Sequence, residues 1–265
     1  MARVLIHVFL SALALWAPLS AALPSRPSLL ANGNDSVLEN GAPHPHSTTG
    51  ALQSRAKKPF DLRIAALGTS IINGYLSTDG NGFRKYLRDE LRLEGWKVNM
   101  VGSVNTGSMK DNQNEGHPGW TISQLTYKAL PNIVADQPNL VLIHIGMDNA
   151  NQNITIPTIA GEYIQLLDNL WAGIPNATVI LSTLIVSKNT DTDATVNIIN
   201  AAIRTMVMSH FSHSNIVSAD MNDGFITLAD VNNDSSPTDN GYKKMASVWW
   251  TAFQKVELSG WLTAP

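Results

Sequence analysis

Short apolar runs and helical stripes alternate along most of the chain, and that alternation predicts its architecture. Residues 62–67, 97–101, 140–145, 179–186 and 216–219 read as strands. The run 140–145 is apolar at nearly every position, as a strand covered on both faces must be. Helical spacing fills the intervals. Phe83, Tyr86, Leu87 and Leu91 share one face, as do Ile159, Tyr163, Leu166, Leu167 and Leu170. Val196, Ile199, Ile203, Met206 and Val207 form a third stripe. Tyr242, Met245, Trp249, Phe253 and Val256 form a fourth, with Thr238 or Asp239 as its N-cap. Regular β–α alternation predicts an α/β fold, a three-layer α/β/α sandwich around a mostly parallel five-stranded sheet. Ligands of such sheets bind at the carboxyl ends of the strands, so residues there are the candidates for function.

The first part of the chain does not follow this pattern. Arg3 precedes an apolar run from Val4 to Ala17, followed by small residues at Ser20 and Ala22. That is the layout of a secretory signal peptide over 1–22, and the run is too short to span a bilayer comfortably. Residues 23–58 are rich in Pro, Ser, Asn, Gly and Ala without apolar periodicity, and read as a flexible linker or pro-segment. Residues 59–265 are then long enough for one domain with a full core. Secretion is the expected localisation, with no membrane association once the signal is removed.

Composition narrows the chemistry. The net charge is −3 and no basic stripe is present, which argues against nucleic acid as a partner. With no cysteine there is neither a disulfide framework nor thiolate chemistry. Sequons at Asn34, Asn153, Asn176 and Asn233 are candidate glycosylation sites in a secreted protein. Asp220, Asp223, Asp230 and Asp234 crowd one segment, but their spacing matches no EF-hand, and a solvated polar loop is the expectation; no metal or cofactor is implied.

The first predicted strand runs into Gly68-Thr69-Ser70, followed by Gly74-Tyr75 and Gly82-Phe83-Arg84. Further on come Asn114-Glu115-Gly116-His117-Pro118-Gly119-Trp120, then Ile143-His144-Ile145-Gly146-Met147-Asp148-Asn149, then Pro237-Thr238-Asp239-Asn240-Gly241-Tyr242. In this order and spacing the blocks resemble the SGNH (GDSL-type) hydrolases, especially the secreted acetyl xylan esterases of carbohydrate esterase family three. The resemblance spans about residues 61–257 and implies the flavodoxin-like SGNH fold. It puts Ser70 at the nucleophile position and Gly119 among the oxyanion donors. It also exposes departures. Asp148 stands where the family's oxyanion asparagine belongs, Asn233 at the catalytic aspartate, Ser236 at the catalytic histidine, and Thr69 at the first-block aspartate.

Two readings follow. In the first, the chain is a catalytically impaired SGNH protein that retains a cleft for acylated carbohydrate, since binding needs shape and hydrogen bonds rather than a proton relay. In the second, it is an active secreted carbohydrate O-deacetylase using Ser70 with a non-standard base, either His117 or Asp148. The losses at Asn233 and Ser236 favour the first. A third option is an interaction protein with a vestigial cleft. Trp120 is a candidate for stacking on a sugar or for packing under its loop. His144 is expected to be a satisfied core residue, and His210 and His213 lie at the wrong edge of the sheet.

Overall fold

The computed structural model describes residues 58–211 and 214–265. The signal segment 1–22, most of the 23–58 segment, Asn34 and His213 lie outside the described residues. Lys58, read with the linker, belongs to the folded part: its ammonium pairs with Glu257 at 2.5 Å and lies 5.1 Å over the Trp96 ring.

All five predicted strands are present: β1 (Leu62–Gly68), β2 (Val98–Val101), β5 (Leu140–His144), β6 (Thr178–Ser182) and β7 (Ile216–Ala219). They pair in parallel in the order β2-β1-β5-β6-β7. β5 and β6 are buried at every position, and the core runs along both faces of the sheet. Helix α2 (Phe83–Leu93) packs on α8 (Asp239–Leu258), while α6 (Ile159–Gly173) packs with α3 (Ile122–Lys128), α4 (Leu130–Asp136) and α7 (Thr190–Ser209). Two short helices, α1 (Ser70–Asn73) and α5 (Met147–Gln152), follow β1 and β5. Thr238 caps α8, accepting the Gly241 amide at 3.0 Å.

The sheet is larger than the apolar pattern predicts. Two further strands, β3 (Val104–Asn105) and β4 (Gln113–Gly116), extend it to seven, with β4 parallel to the end of β1 and β3 antiparallel to β4. Their polarity hides them. In β4, Asn114 donates to the Val104 carbonyl, the Thr106 hydroxyl and the Asn112 carbonyl, and its Oδ1 accepts the Gly116 amide. Side-chain bonds to the backbone thus replace apolar burial in this segment. The run 179–186 also ends early as a strand. Beyond Ser182 the Asn200 side chain takes both the amide and the carbonyl of Leu184, at 2.7 and 3.0 Å, in place of a neighbouring strand.

Candidate active site

The sheet brings the three loop-bearing strand ends together. Gly68 is in register with Gly116 on one side and His144 on the other. A Cβ at Gly68 would sit 2.0 Å from the His144 carbonyl oxygen, so only glycine allows this approach. The chain then turns into α1 with the Ser70 side chain half-buried and Thr69 buried. The second-block loop lies against this turn at two points. The His117 amide donates to the Gly68 carbonyl at 2.9 Å, and Asn73 Nδ2 donates to the Gly116 carbonyl at 3.2 Å, so the loop brackets Ser70 in sequence on both sides. Gly119 is exposed with φ +84, a conformation that favours glycine, and open space surrounds its Cα.

Asp148 lies in the first turn of α5. Burial pushes its carboxyl up from the ordinary value, and the Thr69 hydroxyl pulls in the opposite direction. The neighbouring Asn149 is turned into the interior. It is fully buried, its Oδ1 accepts the Ile122 amide at 3.1 Å, and its Nδ2 donates to Thr155. Its amide group therefore ties α5 to α3.

His117 is held in a way that sequence reasoning missed. Its Nε2 lies 2.6 Å from Glu115 Oε2, and Glu115 is fully buried with its other oxygen accepting the Ser103 amide at 2.6 Å. A spacing of two puts both side chains on one face only where the segment is extended, which the polar sequence here does not announce. The His117 ring also stacks on Trp120 at 3.9 Å, and Lys128 lies 5.2 Å over the same indole. Trp120 is thus partly covered by its own loop.

The fifth-block segment forms a small closed turn. Val231 bridges Pro237, the Asn232 amide donates to the Ser236 carbonyl at 2.8 Å, and the Ser236 amide donates to Asn233 Oδ1 at 3.1 Å. No hydrogen bond connects Asn233 or Ser236 to Ser70 or Asp148 among the described residues. Lys188 fastens the turn through the carbonyls of Val231 and Asn232. The imidazoles among the described residues are those of His117, His144 and His210, and none is on this loop.

Two expectations need correction. His144 is only half satisfied: Nδ1 bonds Ser182 Oγ at 2.7 Å, but Nε2 is buried without a partner. Burial depresses its basicity to about 4, against a raising effect from the Thr183 carbonyl. The Asp220–Asp234 segment is not simply solvated. Asp220 forms a bidentate pair with Arg204, and Asp230 is buried against Lys244, Thr227 and Asn240. No group of three or more acidic or imidazole side chains is placed to hold a metal among the described residues. At Leu76, close to Ser70 in sequence, the backbone adopts φ +63, which costs a leucine about 1–2 kcal/mol.

Solved structures of known proteins share this fold. A multidomain esterase from Ruminococcus flavefaciens is 26% identical over 217 residues, 71% of this chain and 28% of that protein, so the chain spans little more than a quarter of its length. A carbohydrate esterase family 3 structure from Talaromyces cellulolyticus superposes with a TM-score of 0.65 at 22% identity, covering 74% of this chain and 98% of that one. The Clostridium thermocellum family 3 carbohydrate esterase gives 0.65 at 19% identity, covering 75% and 98%. No described helix is long and apolar enough to cross a membrane. The GDSL-like lipase/acylhydrolase sequence pattern matches residues 66–244, from the end of β1 into α8, and the chain belongs to that family.

Proposed function

We propose that this chain is a secreted family member whose cleft at Ser70 binds an acylated carbohydrate and has lost efficient ester hydrolysis. The observation that carries the reading is that the closed 231–237 turn holds asparagine and serine, and no imidazole, at the two positions that the resemblance matches to the triad's aspartate and histidine. A serine hydroxyl attacks usefully only when a base removes its proton. Ser236 cannot accept that proton at neutral pH, and Asn233 has no charge with which to stabilise an imidazolium. Asp148 adds a second lesion, because an ionised carboxylate accepts hydrogen bonds and repels a developing oxyanion. One lost oxyanion donor costs about 10²–10³ in rate. Loss of a triad member leaves only about 10³–10⁴-fold acceleration over water. Acylated carbohydrate as ligand is supported by the carbohydrate esterase neighbours and the esterase relative. The side chains of Asn153, Asn176 and Asn233 are exposed, as glycan attachment in a secreted protein requires.

The second reading, an active deacetylase with a non-standard base, is favoured by one specific observation. Buried Glu115 holds His117 Nε2 at 2.6 Å, an orientation that leaves Nδ1 free to take a proton. Asp148 is the other candidate base, its protonation biased upward by burial.

The test is hydrolysis of p-nitrophenyl acetate and acetylated xylan by the purified protein beside Ser70→Ala, with retardation in gels containing acetylated xylan as the binding readout. Hydrolysis equal to that of the variant, with retardation, is expected. Turnover that disappears in Ser70→Ala would overturn the impaired reading, and His117→Ala and Asp148→Ala would then identify the base.

A further inference from the structure

Next to Ser70 the chain exposes two large apolar side chains on a loop that is held firmly. Tyr75 is 49% and Leu76 46% exposed. The Tyr75 amide donates to the Ser70 carbonyl at 2.9 Å, so this loop is bonded directly to the nucleophile position. The hydroxyl of buried Tyr242 donates to the Tyr75 carbonyl at 2.7 Å. Ser77 Oγ donates to the Gly74 carbonyl at 2.7 Å and accepts the Gly82 amide at 3.0 Å. At the start of α8, Asp239 takes the amide and hydroxyl of Thr78 at 2.9 and 2.5 Å. Within this frame Leu76 has a left-handed backbone, φ +63, where glycine would be unstrained. An exposed leucine there bears the strain without gaining burial. Such strain persists only where its surroundings over-determine it, and it clusters at ligand clamps. The hydrogen bonds at residues 74–78 provide that over-determination.

We infer that Tyr75 and Leu76 form a ledge that receives the apolar face of a sugar ring adjoining the acylated ring at Ser70; this rests on the proposed carbohydrate reading. A pyranose presents a face of C–H groups that packs on aromatic and aliphatic surface while its hydroxyls stay at the rim. The Tyr75 hydroxyl has no partner among the described residues and is available to a ring hydroxyl. Trp120, the aromatic beside Gly119, is partly buried and already stacked by His117, which leaves the ledge as the more open apolar surface of the two. The ledge binds the ring and not the acyl group, so it does not depend on whether Ser70 reacts.

Calorimetric titration with xylotetraose and with acetylated xylotetraose tests this on the wild type, Tyr75→Ala and Leu76→Gly. Tyr75→Ala is expected to weaken both ligands about fivefold, and Leu76→Gly about twofold to threefold, in keeping with the apolar area each presents. Leu76→Gly removes the strained side chain, so its Tm should equal or exceed that of the wild type. Lost affinity with unchanged or raised Tm is a pattern that a merely structural role does not produce. Unchanged affinity in both variants, or no binding of xylotetraose by the wild type, overturns the ledge. Wild-type affinity that is equal for the plain and acetylated ligands, with both variants weakened, supports the ledge and instead overturns acyl binding at Ser70.

Discussion

The Ser236 amide donates to Oδ1 of Asn233 at 3.1 Å, which joins through the backbone the two residues we propose at the family's aspartate and histidine positions. An aspartate at 233 would keep the accepting oxygen and leave the turn closed while adding the missing charge. An imidazole at 236 would supply the base, and an asparagine at 148 the oxyanion donor. The combined variant Asp148→Asn, Asn233→Asp, Ser236→His is expected to hydrolyse p-nitrophenyl acetate at least about 10²-fold faster than the wild type. Adding Ser70→Ala should abolish the gain. A folded triple variant with no gain would mean that the turn does not present residue 236 to Ser70.

Asp148 sets a pH dependence with a defined sign. Burial raises its folded-state pKa above the unfolded value of 3.8. Between those two values the folded chain holds the proton that the unfolded chain has released, so stability falls as pH rises through the window. Above it the full cost of the half-buried charge is present. Asp148→Asn removes that cost, and its urea midpoint is expected to exceed that of the wild type at pH 7 and to converge with it near pH 3. An unchanged difference between the two pH values would refute the assignment.

The periodic elements of this fold were legible because apolar spacing reports burial directly: the β5 run and the α8 stripe emerge where the pattern puts them. Ser70, Gly119 and Asp148 are singled out by the family resemblance rather than by periodicity, and Ser70 and Asp148 lie just past the ends of β1 and β5. Polar structure was less legible. Gln113–Gly116 forms a strand through side-chain bonds that no hydropathy pattern encodes, and Asn200 ends β6 from a helix far along the chain. Glu115 could be linked to His117 only once the segment was known to be extended. The ledge at Tyr75–Leu76 depends on a single backbone angle that sequence does not report.

His144 is expected to make the protein acid-sensitive. Its imidazolium is depressed from 6.5 to about 4, chiefly by burial, so the unfolded chain takes up a proton first as pH falls. Stability is therefore full above pH 6.5 and declines towards pH 4, by roughly 3 kcal/mol from this group. His144→Leu keeps an apolar side chain of similar reach, and Ser182 keeps its bond to the Ile143 carbonyl at 3.2 Å. Urea midpoints at pH 7 and pH 4.5 should differ less in the variant than in the wild type. An equal difference would show that His144 is not the sensor.

Asp230 acts in a lower window and on the loop that carries Asn233 and Ser236. Burial opposes its ionisation, but hydrogen bonds from Lys244, Thr227 and Asn240 more than compensate and hold its carboxyl at about 2. The folded value lies below the unfolded 3.8, so this contribution is present above pH 3.8 and is lost as pH falls towards 2. Its oxygens fasten the turn before Val231 to the first turns of α8 through Asn240 and Lys244. Asp230→Asn leaves the Lys244 ammonium without its counter-charge, and a loss of about 2 kcal/mol at neutral pH is expected from that and the weakened bonds. The same variant should open the 231–237 segment locally before the sheet unfolds. Hydrogen exchange at the Ser236 and Thr238 amides, which donate to Asn233 and to the Asp230 carbonyl, reads that opening. Faster exchange there, with β5 amides unchanged, would establish that Asp230 anchors the turn as well as stabilising the fold. Uniform acceleration across the sheet would leave it only the second role.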